Sequence, residues 1–212
     1  MKRSAIFIAA WLCLTPINAQ QTSEKHINFS GKESLVLNIQ IADTIDVSTW
    51  SKNEVYAVAS VNINDNKDND SYQITYEENG TIPRIKAEFK KDYFERKKNC
   101  CNESDIRWKV FIPEKTKFSV ETINGNITIK GTTGEMKVKT ISGFIDLAVA
   151  ESKKADVEFS TVTGTVYTDL DLSGNKGLHN HSSRFINSLN GGGIPIDLET
   201  VSGDIFFRKS AN

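Results

Sequence analysis

Apolar and polar residues alternate with a period of two along most of this chain, and no stretch carries a convincing helical period. Alternation of that kind sends one set of side chains into a core and the other into water, as strands do. Leu35, Leu37, Ile39 and Ile41 form the first such run. Ile45 to Thr49 and Val55 to Val61 follow, joined by a turn at Ser51-Lys52-Asn53. Tyr72, Ile74 and Tyr76 alternate, as do Ile85, Ala87 and Phe89, with the turn pair Asn79-Gly80 between them. Ile106, Trp108, Val110 and Ile112 form another strand, which stops at Pro113. Residues 90 to 105 read as a charged loop.

The second half of the chain repeats itself. Phe118, Val120, Thr122, Ile123, Asn124, Gly125, Ile127 and Ile129 set a grammar that recurs without gaps. It returns as Met136 to Leu147 around Thr140 and Gly143, as Val157 to Thr168 around Thr161 and Gly164, and as Ile196 to Phe207 around Thr200 and Gly203. In each unit a strand leads to threonine, then a β-branched residue, a small polar residue and glycine, then a second strand. The residue after the threonine breaks the alternation, so the chain must bend there. Glycine supplies a backbone conformation at that bend which a residue with Cβ resists. Thr122, Gly125, Thr140, Gly143, Thr161, Gly164, Thr200 and Gly203 are therefore read as repeat corners.

The repeat predicts an all-β protein and leaves two architectures open. Asn124-Gly125 between alternating strands is a hairpin signal, and four hairpins would make an antiparallel β-sandwich. The preferred reading is a β-solenoid, parallel and β-helix-like, in which each strand–Gly corner–strand unit is one rung. Columns of matched residues (the four threonines, then Ile123, Ile141, Val162 and Val201) are what stacked rungs demand and what hairpins do not need. The interval from Thr161 to Thr200 is about twice the earlier ones. It holds an irregular rung over 173 to 193, with Gly191-Gly192-Gly193 read as a tight bend. The expected organisation is a signal peptide over 1–19, then one all-β domain over 20–212. That domain comprises an irregular β part at 20–115 and a repeat region at 116–209.

Composition narrows the function classes. At 212 residues, 25% charged and 38% hydrophobic, the chain has the make-up of a soluble globular protein. Its formal net charge of -1 provides no field for nucleic acid, and the basic clusters Lys90-Lys91 and Arg96-Lys97-Lys98 sit among acidic residues. Lys2 and Arg3 precede a short apolar run, Ala5 to Leu14, with Pro16 and a cleavage residue at Ala19. Export across the inner membrane is the expectation, to the periplasm, outer envelope or exterior. Leu12 is wrong for a lipoprotein signal at Cys13, and no later segment is apolar enough to be a transmembrane helix. Cys100 and Cys101 are adjacent. An oxidising compartment could close them into a vicinal disulfide or link them to another chain, but they cannot staple distant parts of the fold. An exposed loop pair without a role is the plainer reading.

Several of these features together resemble a known family. They are the Trp108-to-Pro113 strand, the Thr–X–small–Gly–X–Ile units, and Gly191-Gly192-Gly193 ahead of Thr200-Val201-Ser202-Gly203-Asp204-Ile205. They are similar to the putative adhesin, β-strand-repeat family of bacterial envelope proteins, related to the head domain called GIN. The resemblance covers about residues 35 to 209. It implies a β-helix-like fold, an exported location and a role in adhesion, with no set of binding residues to transfer.

Candidate chemistry is sparse. His179-Asn180-His181 places two imidazoles on one side of an extended chain without a third ligand. Asn66, Asp68, Asp70 and Glu77 have calcium-loop spacing, yet Ser71 stands where glycine is required. A glycosidase or lyase would need two carboxylates facing one substrate, and Asp146, Asp169, Asp171, Asp197 and Asp204 could supply them. They share no repeat column, and no nucleophile-elbow, zinc-protease or phosphate-loop motif is present. The expectation is a non-catalytic envelope protein without cofactors that binds a glycan or protein along a stacked-strand face. A carbohydrate-active enzyme on a β-helix is the alternative, and the oligomeric state stays open.

Overall fold

The computed structural model describes residues 21–96, 103–174 and 183–210. The expected leader, the Cys100-Cys101 pair, His179 and His181 lie outside the described residues. In chain order the strands are β1 (Gln21–Asn28), β2 (Ser34–Ile39), β3 (Ile41–Trp50), β4 (Glu54–Ile63), β5 (Tyr72–Glu77) and β6 (Arg84–Phe89). Then come β7 (Ser104–Pro113), β8 (Lys117–Lys130), β9 (Met136–Ser142), β10 (Ile145–Val149) and β11 (Ala155–Thr161). The last are β12 (Val166–Thr168), β13 (Leu172–Gly174), β14 (Ser183–Leu189), β15 (Ile194–Ser202) and β16 (Ile205–Lys209). One short helix, α1 (Tyr93–Arg96), falls in the charged loop. No helix among the described residues is long and apolar enough to cross a membrane.

These strands form one open, mixed, 16-stranded hydrogen-bonded network that lies in two layers. In layer one the order is β5, β6, β2, the first half of β8, β9, β15, β11, β14, β13. In layer two it is β1, β4, β7, β3, the second half of β8, β10, β16, β12. The middle of each layer is parallel, both margins of layer one and the β1–β4–β7 margin of layer two are antiparallel, and β12 at the other margin of layer two is parallel. The inward-facing residues of both layers make one core. Phe159 of layer one meets Phe207 of layer two with ring centroids 5.6 Å apart, and Trp108 Nε1 donates to the Tyr72 hydroxyl at 3.3 Å.

Each repeat unit supplies one strand to each layer. β8 shows this most directly: it runs unbroken from Lys117 to Lys130 through Asn124-Gly125, so the hairpin signal there does not reverse the chain. The rungs do not stack in chain order. β15–β16 lies between β9–β10 and β11–β12, in register with both: Thr200 pairs with Thr140 on one side and Thr161 on the other. β2–β3 stacks on β8 from the other side, although its sequence lacks the threonine–glycine grammar. The run 183 to 193 is no rung. β14 returns antiparallel along β11, and β13 pairs with it at the margin.

The corners are held by a ladder of hydroxyls. Thr122 Oγ1 donates to the Gln40 carbonyl at 3.2 Å, and Thr140 Oγ1 to Gly125 at 3.4 Å. Thr200 Oγ1 reaches Gly143 and Thr161 Oγ1 reaches Gly203, both at 3.2 Å. All four threonines are buried. Each therefore ties its rung to a carbonyl of the neighbouring rung at the bend, and its own buried hydroxyl is satisfied in doing so. The glycines are fixed by the same closeness. A Cβ on Gly143, Gly203 or Gly164 would overlap the carbonyl of Gly125, Gly143 or Gly203 respectively, and one on Gly125 would lie 2.7 Å from the Ala42 oxygen. Only Gly143 (φ 132) and Gly203 (φ 155) have positive φ, so close approach is the requirement common to all four.

Candidate functional site: the outer face of layer two

Outward positions of layer two gather aromatic rings at one side. His26 on β1, Tyr56 on β4 and Phe111 on β7 are cross-strand neighbours, since Tyr56 pairs with both of the others. Trp50, at the end of β3, leans over Phe111. Centroid separations are 4.3 Å for His26–Tyr56, 6.0 Å for Tyr56–Phe111, 5.4 Å for Trp50–Phe111 and 6.1 Å for Trp50–Tyr56. Interplanar angles of 15 to 30° make this an offset-stacked ribbon four strands wide.

Polar contacts hold these rings in place. Trp50 Nε1 donates to the Glu54 carbonyl at 2.8 Å, and the Tyr56 hydroxyl donates to Glu24 at 2.9 Å. That carboxylate, by accepting this hydrogen bond, raises the Tyr56 pKa. Lys52 Nζ lies 4.6 Å from the Trp50 ring centroid, a cation–π distance. His26 Nδ1 sits 3.3 Å from Glu54 Oε2.

Beside the ribbon the face turns polar. Asp46, Ser48, Lys109, Phe111, Thr128 and Lys130 line a shallow depression of about 270 Å³. Asp46, Lys109 and Thr128 lie in one register row, which continues through Asp146 to Phe206 and Tyr167. Phe206 stacks on Tyr167 at 5.2 Å and meets Phe144 edge-on at 6.0 Å. Four strand spacings separate β7 from β16, about 19 Å. The face thus carries rings at both sides of a strip rich in hydrogen-bonding groups. The sequence signal for these rings is weak but present: Tyr56 and Phe111 are aromatics in the outward phase of alternating strands, between inward Val55 and Ala57 and between Val110 and Ile112.

The other candidates do not converge. Asp146 binds Arg208 bidentately, at 2.7 and 2.8 Å, on the outside of layer two. Asp197 pairs with Lys137 at 3.3 Å on the outside of layer one. Asp169 accepts the Lys209 amide and Asp204 the Thr165 amide, each at 2.8 Å, and Asp171 is exposed. No two of them face each other across a cleft. The calcium-like spacing is dispersed as well. Asn64 donates to Asp68, Asp70 faces Lys90 at 3.9 Å, and Glu77 pairs with Arg84 across a hairpin. Among the described residues no group of three or more His, Cys, Asp or Glu is placed to hold a metal ion.

No protein-family model and no curated protein matches the chain. Solved structures do. A putative adhesin from Bacteroides fragilis aligns over 91% of this chain and 99% of its own, at 8% identity and a TM-score of 0.26. A putative cell adhesion protein from Clostridium sporogenes aligns over 91% of this chain and all of its own, at 13% identity and a TM-score of 0.61, and this second likeness is one of fold.

Proposed function

We propose that this is an exported, non-catalytic binding protein of the adhesin kind, and that the outer face of layer two takes a glycan. The observation that carries the reading is the ribbon of His26, Tyr56, Phe111 and Trp50 beside the polar strip. A pyranose ring has an apolar CH face and a hydroxyl rim, so it stacks on aromatic surface while its hydroxyls exchange hydrogen bonds with groups such as Asp46, Ser48 and Thr128. The stacked rungs form a solenoid-like segment whose flat rows suit an extended ligand. The leader-like N-terminus supports export, and the fold shared with the Clostridium sporogenes protein supports adhesion.

Titration against a panel of neutral oligosaccharides tests this. Trp50→Ala and Tyr56→Ala should each weaken binding about tenfold or more, since a stacked, half-buried aromatic contributes on the order of 1.5 kcal/mol. The fold, followed by circular dichroism, should be retained. Unchanged affinity in both variants, or a panel with no ligand, would overturn the reading.

A further inference from the structure

The end of the molecule opposite the threonine corners is where the chain returns from layer two to layer one. The turns there border a cleft of about 950 Å³. Four lysines line it: Lys115, Lys117, Lys153 and Lys154. Ala150, Ile194 and Pro195 add apolar surface.

Charges in this cleft are not balanced as they are on the outer face of layer one. On layer one, Lys137 pairs with Asp197 at 3.3 Å and Lys139 with Glu199 at 2.8 Å. In the cleft, Lys117 pairs with Glu135 at 2.7 Å. Lys115, Lys153 and Lys154 have no carboxylate within ion-pair distance among the described residues. Lys153 is half-buried, and among the described residues its ammonium donates only to Thr133, at 2.6 Å to the carbonyl and 3.4 Å to the hydroxyl. Burial lowers its pKa. A partly desolvated cation without a counter-charge is an unfavourable arrangement that an incoming anion relieves.

The cleft also adjoins the aromatic ribbon. Glu114 N donates to the Trp50 carbonyl at 3.2 Å, Lys115 N to the Thr132 carbonyl at 2.7 Å, and Thr132 N to Thr49 Oγ1 at 2.8 Å. The rim of the cleft is therefore tied to the strand end that carries Trp50. A saccharide lying on the ribbon reaches the lysines without leaving the surface, which favours a saccharide over an acidic peptide as the occupant. The cationic lining consists of lysines without arginine, so it reads charge and not the planar geometry of one anion type.

We propose that this cleft is a second binding site, for anionic groups carried on an oligosaccharide, so that the ligand class is an acidic glycan. The inference rests on the glycan reading above for its choice of ligand, and it fails separately from it.

The test compares oligogalacturonate with its methyl-esterified, neutral form by calorimetric titration of the full protein. Three lysine contacts of modest strength should give the charged form an advantage of about tenfold at low salt. That advantage should fall as salt screens it. The double variant Lys115→Gln/Lys154→Gln, both exposed positions, should remove most of the advantage and leave binding of the neutral form unchanged. Lys153→Gln should do the same, with thermal melting confirming the fold. Equal affinity for the two forms overturns the proposal, as does an advantage that survives in the lysine variants. Poly-L-glutamate binding as tightly as oligogalacturonate at equal charge overturns the saccharide assignment. If the charged form binds through the lysines while Trp50→Ala and Tyr56→Ala change nothing, the aromatic reading falls and the cleft stands.

Discussion

A methyl group added at Gly164 would overlap the carbonyl oxygen of Gly203, which belongs to the neighbouring rung. The closest obstacle is backbone, which cannot swing aside as a flexible side chain would. Gly164→Ala should therefore cost about 1–3 kcal/mol, the usual range for overpacking, and lower the melting temperature by about 2–4 °C per kcal/mol. Gly80, with nothing within 4 Å of an added Cβ, is the control, and Gly80→Ala should cost only its backbone strain, about 1 kcal/mol. A loss at Gly164 no larger than at Gly80 would show that the rungs can separate freely. Tyr72 gives a second test at this scale. Its hydroxyl is buried, donates to the Ile41 carbonyl at 2.9 Å and accepts from Trp108. Burial raises its pKa above the usual 10.0. The folded state then holds the proton that the unfolded chain releases, so stability falls as pH rises above about 10. Tyr72→Phe should lose about 1 kcal/mol at neutral pH. Its stability should fall less steeply above pH 10, as denaturant midpoints at pH 7 and about 11 would show. The threonine and glycine columns are visible in the sequence, but the cause of the glycines is not, because close approach is a property of two rungs. The column Ile123, Ile141, Val201, Val162 is legible too, yet its side chains are 37 to 53% exposed and line the outside of the corners.

Strand existence follows from alternation, which is a local property, and pairing does not. The run from Ile45 to Val61 contains two strands and a short turn, but β3 and β4 are not neighbours, because β7 lies between them. β2–β3 escaped the repeat grammar because Ile39 sits level with Thr122 and Ala42 lies against Gly125. The order of the rungs was hidden for the same reason: equal columns say which residues are equivalent and not which rungs touch. The inserted β15–β16 unit makes a definite prediction. A chain ending after Gly193 loses the strand that joins β9 to β11 and the strand that joins β10 to β12. Such a truncation should unfold β11 through β14 together, seen as lost amide protection across them, while β9 and β10 keep their pairing to β8. In a stack built in chain order, removing the last rung would only expose the one before it. Protection that persists in β11 and β14 would count against the strand order described here.

The two outer faces of the molecule have different chemistry. Layer one carries register rows of charge: Glu121, Lys139 and Glu199 lie side by side, as do Lys137 and Asp197. Exposed pairs of this sort contribute little to stability, and they keep a broad sheet face hydrated. Lys139→Ala combined with Glu199→Ala should change stability by under about 1 kcal/mol and leave saccharide affinity untouched. A loss of affinity would move the ligand surface to layer one. The sequence announces alternation on every strand, but it cannot say which outward positions share a face, so the aromatic ribbon emerges only when β1, β3, β4 and β7 are assembled. The place of β15–β16 has a further consequence at this scale. A chain that emerges N-terminus first releases this middle rung after both of its neighbours. Until β15–β16 arrives, the units already made stand apart with a gap one strand wide in each layer. The protein is thus closed by a keystone and cannot complete itself progressively. Any factor that shields nascent chains would have to protect β9 and β11 until β15–β16 is made.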